Sequence, residues 1–178
     1  IKVLANDGIS SKGVEKLEEN GFNVLTEKIN QEDLIEKINN KNIEVLLVRS
    51  ATKVRKDIID NCPNLKIIGR GGVGMDNIDV DYAREKGKHV INTPASSSNS
   101  VAELVFAHLF GMVRFLFASN RQMPMEGDSN FKELKKSFSS GIELSGKTLG
   151  IIGFGRIGQE VAKKAIGLGM NVLAHDKH

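Results

Sequence analysis

The sequence is poor in the residues that build disulfide frameworks, zinc sites and nucleic-acid-binding surfaces. It has one cysteine, no tryptophan and 5% aromatic residues in 178 positions. The single cysteine, Cys62, excludes an internal disulfide and is typical of a reducing compartment. The cysteine and the four histidines do not form a zinc-binding pattern. The aromatic residues are not interleaved with basic ones, so we expect neither a metal ion nor a nucleic-acid partner.

The sequence also lacks a hydrophobic run long enough to cross a bilayer. Its most apolar segment, residues 104–113, is bounded by Glu103 and Arg114 and interrupted by His108. A membrane-spanning helix needs about 20 apolar residues. The first five residues indicate a strand and not a signal peptide. We therefore expect a cytoplasmic protein without a membrane partner, and the net charge of +3 suits an anionic substrate.

Strand-like and helix-like segments alternate through the first half of the chain. Five short apolar runs precede the turn-rich segment 92–99, and most are separated by helical patterns. This alternation is typical of an α/β fold with a parallel sheet covered on both faces. The five runs lie at residues 2–6, 22–25, 43–48, 65–68 and 89–91.

The segment 92–99 marks a predicted domain boundary, because it breaks the alternation with turn and capping residues. An almost wholly apolar helix is predicted from residue 101 to about residue 117, and it must be covered by other protein surface. Residues 120–146 are polar, and we expect an irregular arm there with a short helix around residues 131–136.

The segment 148–176 has the order that a dinucleotide site requires: a strand, a glycine-rich turn, a helix, a second strand and an acid. Gly153 permits the tight turn, and Gly155 lets the backbone approach a pyrophosphate. Gly158 lets the helix lie close to the strand. Asp176 follows the last glycine at nearly the usual spacing of about 20 residues, where a carboxylate accepts hydrogen bonds from the ribose hydroxyls.

This fingerprint favours NAD over NADP, because the Asp176 carboxylate would repel a 2′-phosphate. Lys177, directly after it, leaves some room for NADP. The backbone N–H groups of Arg156 and Ile157 are expected at the pyrophosphate, since they begin the helix. The Arg156 side chain either adds positive charge there or is merely solvated.

A second GxGxxG pattern, at residues 69–74, is not interpreted as a pyrophosphate site, because residues 75–79 indicate a turn and no helix. The successive N–H groups of Gly71, Gly72 and Val73 could instead form a nest for a carboxylate. The alternative is a plain tight turn. Arg49 leaves the end of a buried strand, where the ligands of parallel sheets gather.

Together these motifs resemble the D-isomer-specific 2-hydroxyacid dehydrogenase family, and within it most closely the D-3-phosphoglycerate dehydrogenases. The likeness covers nearly the whole chain. It is carried by residues 48–54, 69–79, 92–94, 100–104 and 146–176.

The resemblance implies a flavodoxin-like substrate-binding domain at residues 1–95. Residues 96–178 would then be the N-terminal part of a Rossmann NAD-binding domain, including a dimerisation helix and arm. The implied reaction is oxidation of 3-phospho-D-glycerate by NAD in a homodimer or higher homo-oligomer. The catalytic arginine, glutamate and histidine of the family would lie beyond residue 178. We therefore expect a truncated chain that holds no catalytic residue and is inactive alone.

The resemblance also implies roles for individual residues. Arg49 and Ser50 would contact the substrate's phosphate end, Gly71, Gly72 and Val73 its carboxylate, and Val73 and Val101 the cofactor. A structural ion pair is the alternative for Arg49, and capping of the next helix is the alternative for Ser50 and Thr52.

Two positions depart from the family pattern, since Ser97 replaces a frequent Asn and Val73 a frequent Thr. Two other functions stay open. One is a glyoxylate or hydroxypyruvate reductase, and the other is a non-enzymatic dinucleotide sensor like the related corepressors.

Overall fold

The computed structural model describes residues 1–177 and divides between Ser96 and Ser97 into two compact units. We refer to them as unit 1 and unit 2. Unit 1 alternates strands and helices in the order β1 (Lys2–Ala5), α1 (Ser11–Glu19), β2 (Asn23–Leu25), α2 (Leu34–Lys41), β3 (Val45–Val48), α3 (Lys56–Asn61), β4 (Ile67–Arg70), α4 (Val80–Glu85) and β5 (His89–Asn92).

The five strands of unit 1 form one parallel sheet in the order β2-β1-β3-β4-β5. This is the flavodoxin-like strand order, and it confirms the predicted α/β class. Strand β2 lies on one side of β1, and β3, β4 and β5 follow on the other side. The direction in which strands are added therefore reverses between β1 and β3. Ligands of open parallel sheets bind at such a reversal, outside the carboxyl ends of the strands.

The core of unit 1 is built from the apolar runs on which the prediction rested. Leu4, Leu46 and Ile68 occupy the middle strands and are fully buried. Cys62 also lies in this cluster, and burial raises the pKa of its thiol to about 11. A thiol with so high a pKa is not a nucleophile at neutral pH, so Cys62 contributes packing only.

Helix α1 begins at a side-chain cap. The Ser10 hydroxyl accepts a hydrogen bond from the Gly13 N–H at 3.2 Å, and α1 begins at the next residue, Ser11. Helix α2 begins after Asp33, which makes no side-chain cap hydrogen bond. A turn precedes this helix, and it is closed by a 3.1 Å hydrogen bond from the Asp33 N–H to the Asn30 carbonyl.

Unit 2 contains α5 (Ser98–Val113), α6 (Leu116–Phe138), β6 (Thr148–Ile152), α7 (Arg156–Gly167) and β7 (Asn171–His175). Strands β6 and β7 pair in parallel through α7, which makes the βαβ unit with which a Rossmann fold begins. Helix α5 packs on α7 through a cluster of buried residues: Ala102, Phe106, Leu144, Val161, Ala165 and Met170.

The prediction of an irregular arm at residues 120–146 was wrong in its main part, although the short helix expected around residues 131–136 does lie inside a helix. Helix α5 ends at Val113, and Phe115 has a φ of 56° that breaks the chain direction. Helix α6 then runs to Phe138 through Pro124 and a kink at Asn130. The expected irregular arm is therefore mostly helical. The first half of α6 gives no helical signal in the sequence, because Pro124 and Gly127 are typical of turns and not of a helix interior.

Several large apolar side chains of α5 and α6 are exposed, including Leu104 at 56%, Met112 at 67% and Phe117 at 62%. Within residues 1–177, no single helix combines the length and apolar character needed to cross a membrane. The bent pair of α5 and α6, at 52°, meets that test only when both are counted together and only on length and composition.

Candidate functional site

The glycine-rich turn between β6 and α7 has the backbone that its glycines permit. Gly153 has a φ of 92°, in the left-handed region that favours glycine. Helix α7 begins at Arg156, with Gly155 as its N-cap. A Cβ on Gly155 would meet nothing within 4 Å, so the space before the helix is open. The exposed N-terminus of α7 thus offers its N–H groups and dipole to an anion.

Gly158 holds this helix against the turn. A Cβ at Gly158 would lie 2.3 Å from the carbonyl oxygen of Gly153 and 3.4 Å from Ile151 Cγ2. No side chain larger than hydrogen fits this gap without moving the helix. The close approach that the sequence predicted for Gly158 is therefore present.

Asp176 is tied to the same turn. Its Oδ2 accepts a hydrogen bond from the Phe154 N–H. One residue earlier in the turn, the Gly153 N–H donates to the His175 carbonyl at 2.8 Å. The end of β7 and the turn after β6 are thus joined by two bonds, which bring the carboxylate beside the start of α7.

The other cofactor residues of unit 2 are placed as follows. The side chains of Arg156 and Ile157 are exposed on the first turn of α7. Among the described residues, the Arg156 guanidinium makes no hydrogen bond or ion pair. Val101 lies in the first half of α5 and is 37% exposed, and its N–H is used in the helix by the Ser97 carbonyl at 3.0 Å. Contact of these residues with a cofactor stays a prediction.

A cleft of about 660 Å³ opens in unit 1 at the carboxyl ends of β1, β3, β4 and β5. Residues at or just after the ends of these strands line the cleft. Two of them are arginines: Arg49, which follows β3, and Arg70, the last residue of β4. The polar residues of the lining are Asp7, Ser10, Arg49, Arg70, Asn92 and Thr93.

Arg49 is exposed, and its stem lies against Gly71, whose Cβ would be 3.6 Å from Arg49 Cγ. Within residues 1–177 its guanidinium forms no ion pair and no hydrogen bond, so the alternative of a structural ion pair finds no partner there. Ser50, the next residue, is exposed in the same turn. Helix α3 begins at Lys56 after Arg55, so neither Ser50 nor Thr52 caps it.

Arg70 was not singled out from the sequence, and its guanidinium turns into its own loop. Its Nη1 donates to the Gly74 carbonyl, and a Cβ on Gly72 would lie 2.7 Å from the same nitrogen. Its Nε is buried and, among the described residues, has no hydrogen-bond partner. A side chain at Gly72 would therefore displace the Arg70 guanidinium from this position.

The N–H groups of the expected nest are partly used within the protein. Gly71 donates to the Val48 carbonyl at 2.8 Å and Gly72 to the Arg70 carbonyl at 3.0 Å. Val73 is 45% exposed, and its carbonyl accepts from Asn92 Nδ2 at 2.7 Å. A carboxylate bound by all three N–H groups would have to replace the first two bonds, and this binding stays a prediction.

Asp7 was also missed, although it lies two residues after the end of β1, at the carboxyl edge of the sheet. Its side chain is only 4% exposed. Burial alone would raise the pKa of this carboxyl. Hydrogen bonds from Lys28 Nζ, the Thr52 hydroxyl and the N–H groups of Thr52 and Arg49 outweigh that effect and hold the pKa well below its ordinary value.

Comparison with known proteins identifies the family of these motifs. The family model described as "D-isomer specific 2-hydroxyacid dehydrogenase, catalytic domain" matches residues 3–166. A D-3-phosphoglycerate dehydrogenase of Methanocaldococcus jannaschii is 43% identical over 178 residues, which is 100% of this chain and 32% of that protein. A hydroxypyruvate reductase of Thermotoga maritima is 44% identical over 176 residues, 98% of this chain and 55% of that one.

Solved structures agree with these matches. The TT0316 protein of Thermus thermophilus superposes with a TM-score of 0.85 at 28% identity, covering 100% of this chain and 57% of that chain. A D-lactate dehydrogenase of Aquifex aeolicus, complexed with NAD and lactic acid, superposes with a TM-score of 0.71 at 29% identity, covering 100% and 52%. The chain therefore spans between about a third and somewhat more than half of the proteins it matches.

The Asp7 interactions predict acid-sensitive stability. The folded pKa lies below the ordinary value of 3.8, so the carboxylate stabilises the fold fully above that value, and the effect is lost as pH falls towards the folded pKa. Asp7→Asn should lower the free energy of unfolding by about 1–3 kcal/mol at pH 7. Urea unfolding at several pH values should show this difference shrinking as the pH falls from about 4 to about 2.

Asp81→Asn, which removes an exposed carboxylate on α4, controls for the loss of one negative charge. A difference between the wild type and Asp7→Asn that stays the same at every pH would contradict the assignment.

The Gly158 contact predicts a matched pair of outcomes within one helix. Gly158→Ala should destabilise the protein by about 1–3 kcal/mol, because the methyl group overlaps the Gly153 carbonyl. Gly167→Ala, at the end of α7 where a Cβ meets nothing within 4 Å, should be neutral or stabilising by up to about 1 kcal/mol. Thermal unfolding of both variants measures this, and equal effects would refute the close-packing argument.

Proposed function

Because the chain belongs to the D-isomer-specific 2-hydroxyacid dehydrogenase family, we propose that the protein it comes from oxidises 3-phospho-D-glycerate to 3-phosphohydroxypyruvate with NAD. The arrangement at β6, α7 and β7 carries the proposal. It combines an open helix N-terminus, a glycine turn without side chains and a carboxylate fixed beside that turn. This is the combination of groups that a dinucleotide needs, since its pyrophosphate is anionic and its ribose donates hydrogen bonds.

The residues of unit 2 fit such a cofactor. The N–H groups of Arg156 and Ile157 would hold the pyrophosphate at the open space before Gly155, and Asp176 would accept hydrogen bonds from the ribose. When bound, the nicotinamide accepts the hydride that leaves the substrate. We propose Val73 and Val101 as further cofactor contacts, on the resemblance to the family alone.

The cleft of unit 1 fits a small anionic substrate. Arg49 brings to it a guanidinium without an internal partner among the described residues, and a guanidinium can bind a phosphate with two parallel hydrogen bonds. Ser50 lies next to it and supplies a hydroxyl. We propose the loop of Gly71, Gly72 and Val73 for the substrate carboxylate. We assign no catalytic residue within residues 1–177, and so expect no turnover from this chain alone.

A reductase acting on hydroxypyruvate is the second candidate, because one relative with 44% identity over 176 residues bears that name. The two candidates share the cofactor and the reaction type and differ in whether the substrate carries a phosphate. Arg49 favours the phosphorylated substrate, because the loop of Gly71, Gly72 and Val73 is proposed for the carboxylate and the guanidinium is left for a second anionic group.

Steady-state assays on the full-length protein decide between the candidates. We expect the highest kcat/KM with 3-phospho-D-glycerate and NAD, measured by NADH absorbance, and lower values with D-glycerate and D-lactate. A preference for hydroxypyruvate and NADH would favour the reductase. Failure to turn over any of these compounds would refute the proposed enzymatic function.

The cofactor assignment predicts a defined effect of Asp176. Asp176→Ala should raise the KM for NAD by about tenfold to about a hundredfold, because hydrogen bonds to a charged group contribute roughly 1.5–3 kcal/mol. It should also reduce the preference for NAD over NADP, because the repulsion of a 2′-phosphate is removed. Lys177→Ala, a neighbouring exposed position, should leave the KM for NAD nearly unchanged. An unaltered KM in Asp176→Ala would contradict the role of this carboxylate.

The exposed apolar surface of α5 and α6 supports a homodimer as a further part of the proposal. Apolar patches on a protein surface often mark interaction sites, and both helices expose large apolar side chains. Sedimentation equilibrium should give twice the chain mass, and Met112→Glu should shift the protein towards the monomer, because it places a charge in the interface. Lys16→Glu on α1 serves as the control. A monomeric wild type would refute this assembly.

A further inference from the structure

Asp7 places a carboxylate at the edge of an arginine-lined cleft, where a negative charge would oppose the binding of an anion. The Asp7 carboxylate avoids this repulsion because it is buried and hydrogen-bonded to the protein and is not presented to the cleft. The side chain is 4% exposed, and both of its oxygens are fully engaged by donors from the protein. The question is what these bonds achieve.

The bonds of Asp7 fasten one turn at both of its ends. Oδ2 accepts from the Arg49 N–H at 2.7 Å and from the Thr52 N–H at 3.0 Å. Oδ1 accepts from the Thr52 hydroxyl at 2.7 Å and from Lys28 Nζ at 2.7 Å. A single oxygen thus bridges the first and last residues of the turn 49–52.

The same turn is held from its other side by Asn77. Its Nδ2 donates to the Arg49 carbonyl at 2.8 Å and to the Thr52 carbonyl at 2.7 Å. Asp7 and Asn77 therefore take both the N–H and the C=O of Arg49. The backbone of this residue is fixed, while its side chain lies exposed against Gly71.

We infer that Asp7 is a positioning residue, whose carboxylate fixes the backbone of Arg49. The guanidinium is thereby held at the cleft for the phosphate end of the substrate. The inference rests on the proposed function and names a residue through which that site is organised. Preorganisation of this kind favours binding, because the turn need not be ordered when the substrate arrives. Asp7 itself is not proposed to contact either the substrate or the cofactor.

The test is Asp7→Asn in the full-length enzyme. An asparagine keeps the size of the side chain, but its amide cannot accept from both backbone N–H groups of the turn while also meeting Lys28 and the Thr52 hydroxyl. We expect the KM for 3-phospho-D-glycerate to rise about tenfold and kcat to stay within about twofold of the wild type. The matched control is Asp60→Asn, which removes a carboxylate bonded to Tyr82 and Lys86 on the surface of α3 and α4.

A double-mutant cycle with Arg49→Met separates positioning from general stability. If Asp7 acts through Arg49, Asp7→Asn should have almost no further effect on KM once the guanidinium is gone. A purely structural role would instead give independent effects on KM in the two backgrounds. Thr52→Val, which removes one donor to Asp7 and keeps the carboxylate, should give a smaller rise in KM and serves if Asp7→Asn does not fold.

Hydrogen exchange at the Arg49 and Thr52 amides supplies a readout that needs no turnover. Faster exchange at these two amides in Asp7→Asn, with unchanged exchange in the strands, is the expected result. Unchanged exchange, or unchanged KM in an enzyme whose wild type is active, would overturn the role of Asp7. An inactive wild type with the expected exchange would refute the proposed function and leave the positioning of Arg49 supported.

Discussion

Parallel pairing is the constraint on which the rest of this structure depends. Every strand pair in both sheets is parallel, so each strand must be followed by a crossover, and all strands of a sheet end at the same edge. That edge gathers the loop residues of distant segments. In unit 1 it brings together Asp7, Arg49 and Arg70, and in unit 2 it places Asp176 beside the turn that starts α7. The chemistry of both sites follows from this topology.

The two sites use glycine for different physical reasons. In unit 2, Gly158 allows a helix to approach the backbone of Gly153, and the result is an open, forward-facing helix N-terminus. In unit 1, Gly72 allows a loop to close around the guanidinium of Arg70. Both stretches fit the same GxGxxG spacing, yet only the first precedes a helix long enough to offer a dipole. The residues that follow the glycines therefore decide which pattern is an anion site for a diphosphate.

Patterns that recur within one element were predictable from the sequence, and interactions between elements were not. The apolar runs predicted all five strands of unit 1, and the spacing from Gly153 to Asp176 predicted the βαβ unit. Only residues 131–136 of α6 were predicted to be helical, because Pro124 and Gly127 in its first half are typical of turns. Asp7 was missed because its importance depends on Thr52 and Arg49, which lie more than 40 positions away and come close only in the folded sheet.

The two arginines of the cleft have similar positions at the ends of strands but different contacts in the folded structure. Both are cationic residues at the end of a strand, although the sequence singled out only Arg49 as a candidate for binding an anion. In the structure, the guanidinium of Arg70 is hydrogen-bonded within its own loop. The backbone of Arg49 is fixed, and its guanidinium makes no ion pair or hydrogen bond among residues 1–177. A fixed backbone and an uncommitted charge are what a binding residue needs. If Asp7 positions Arg49 as we propose, the phosphate end of the substrate is expected at Arg49 and not midway between the two arginines.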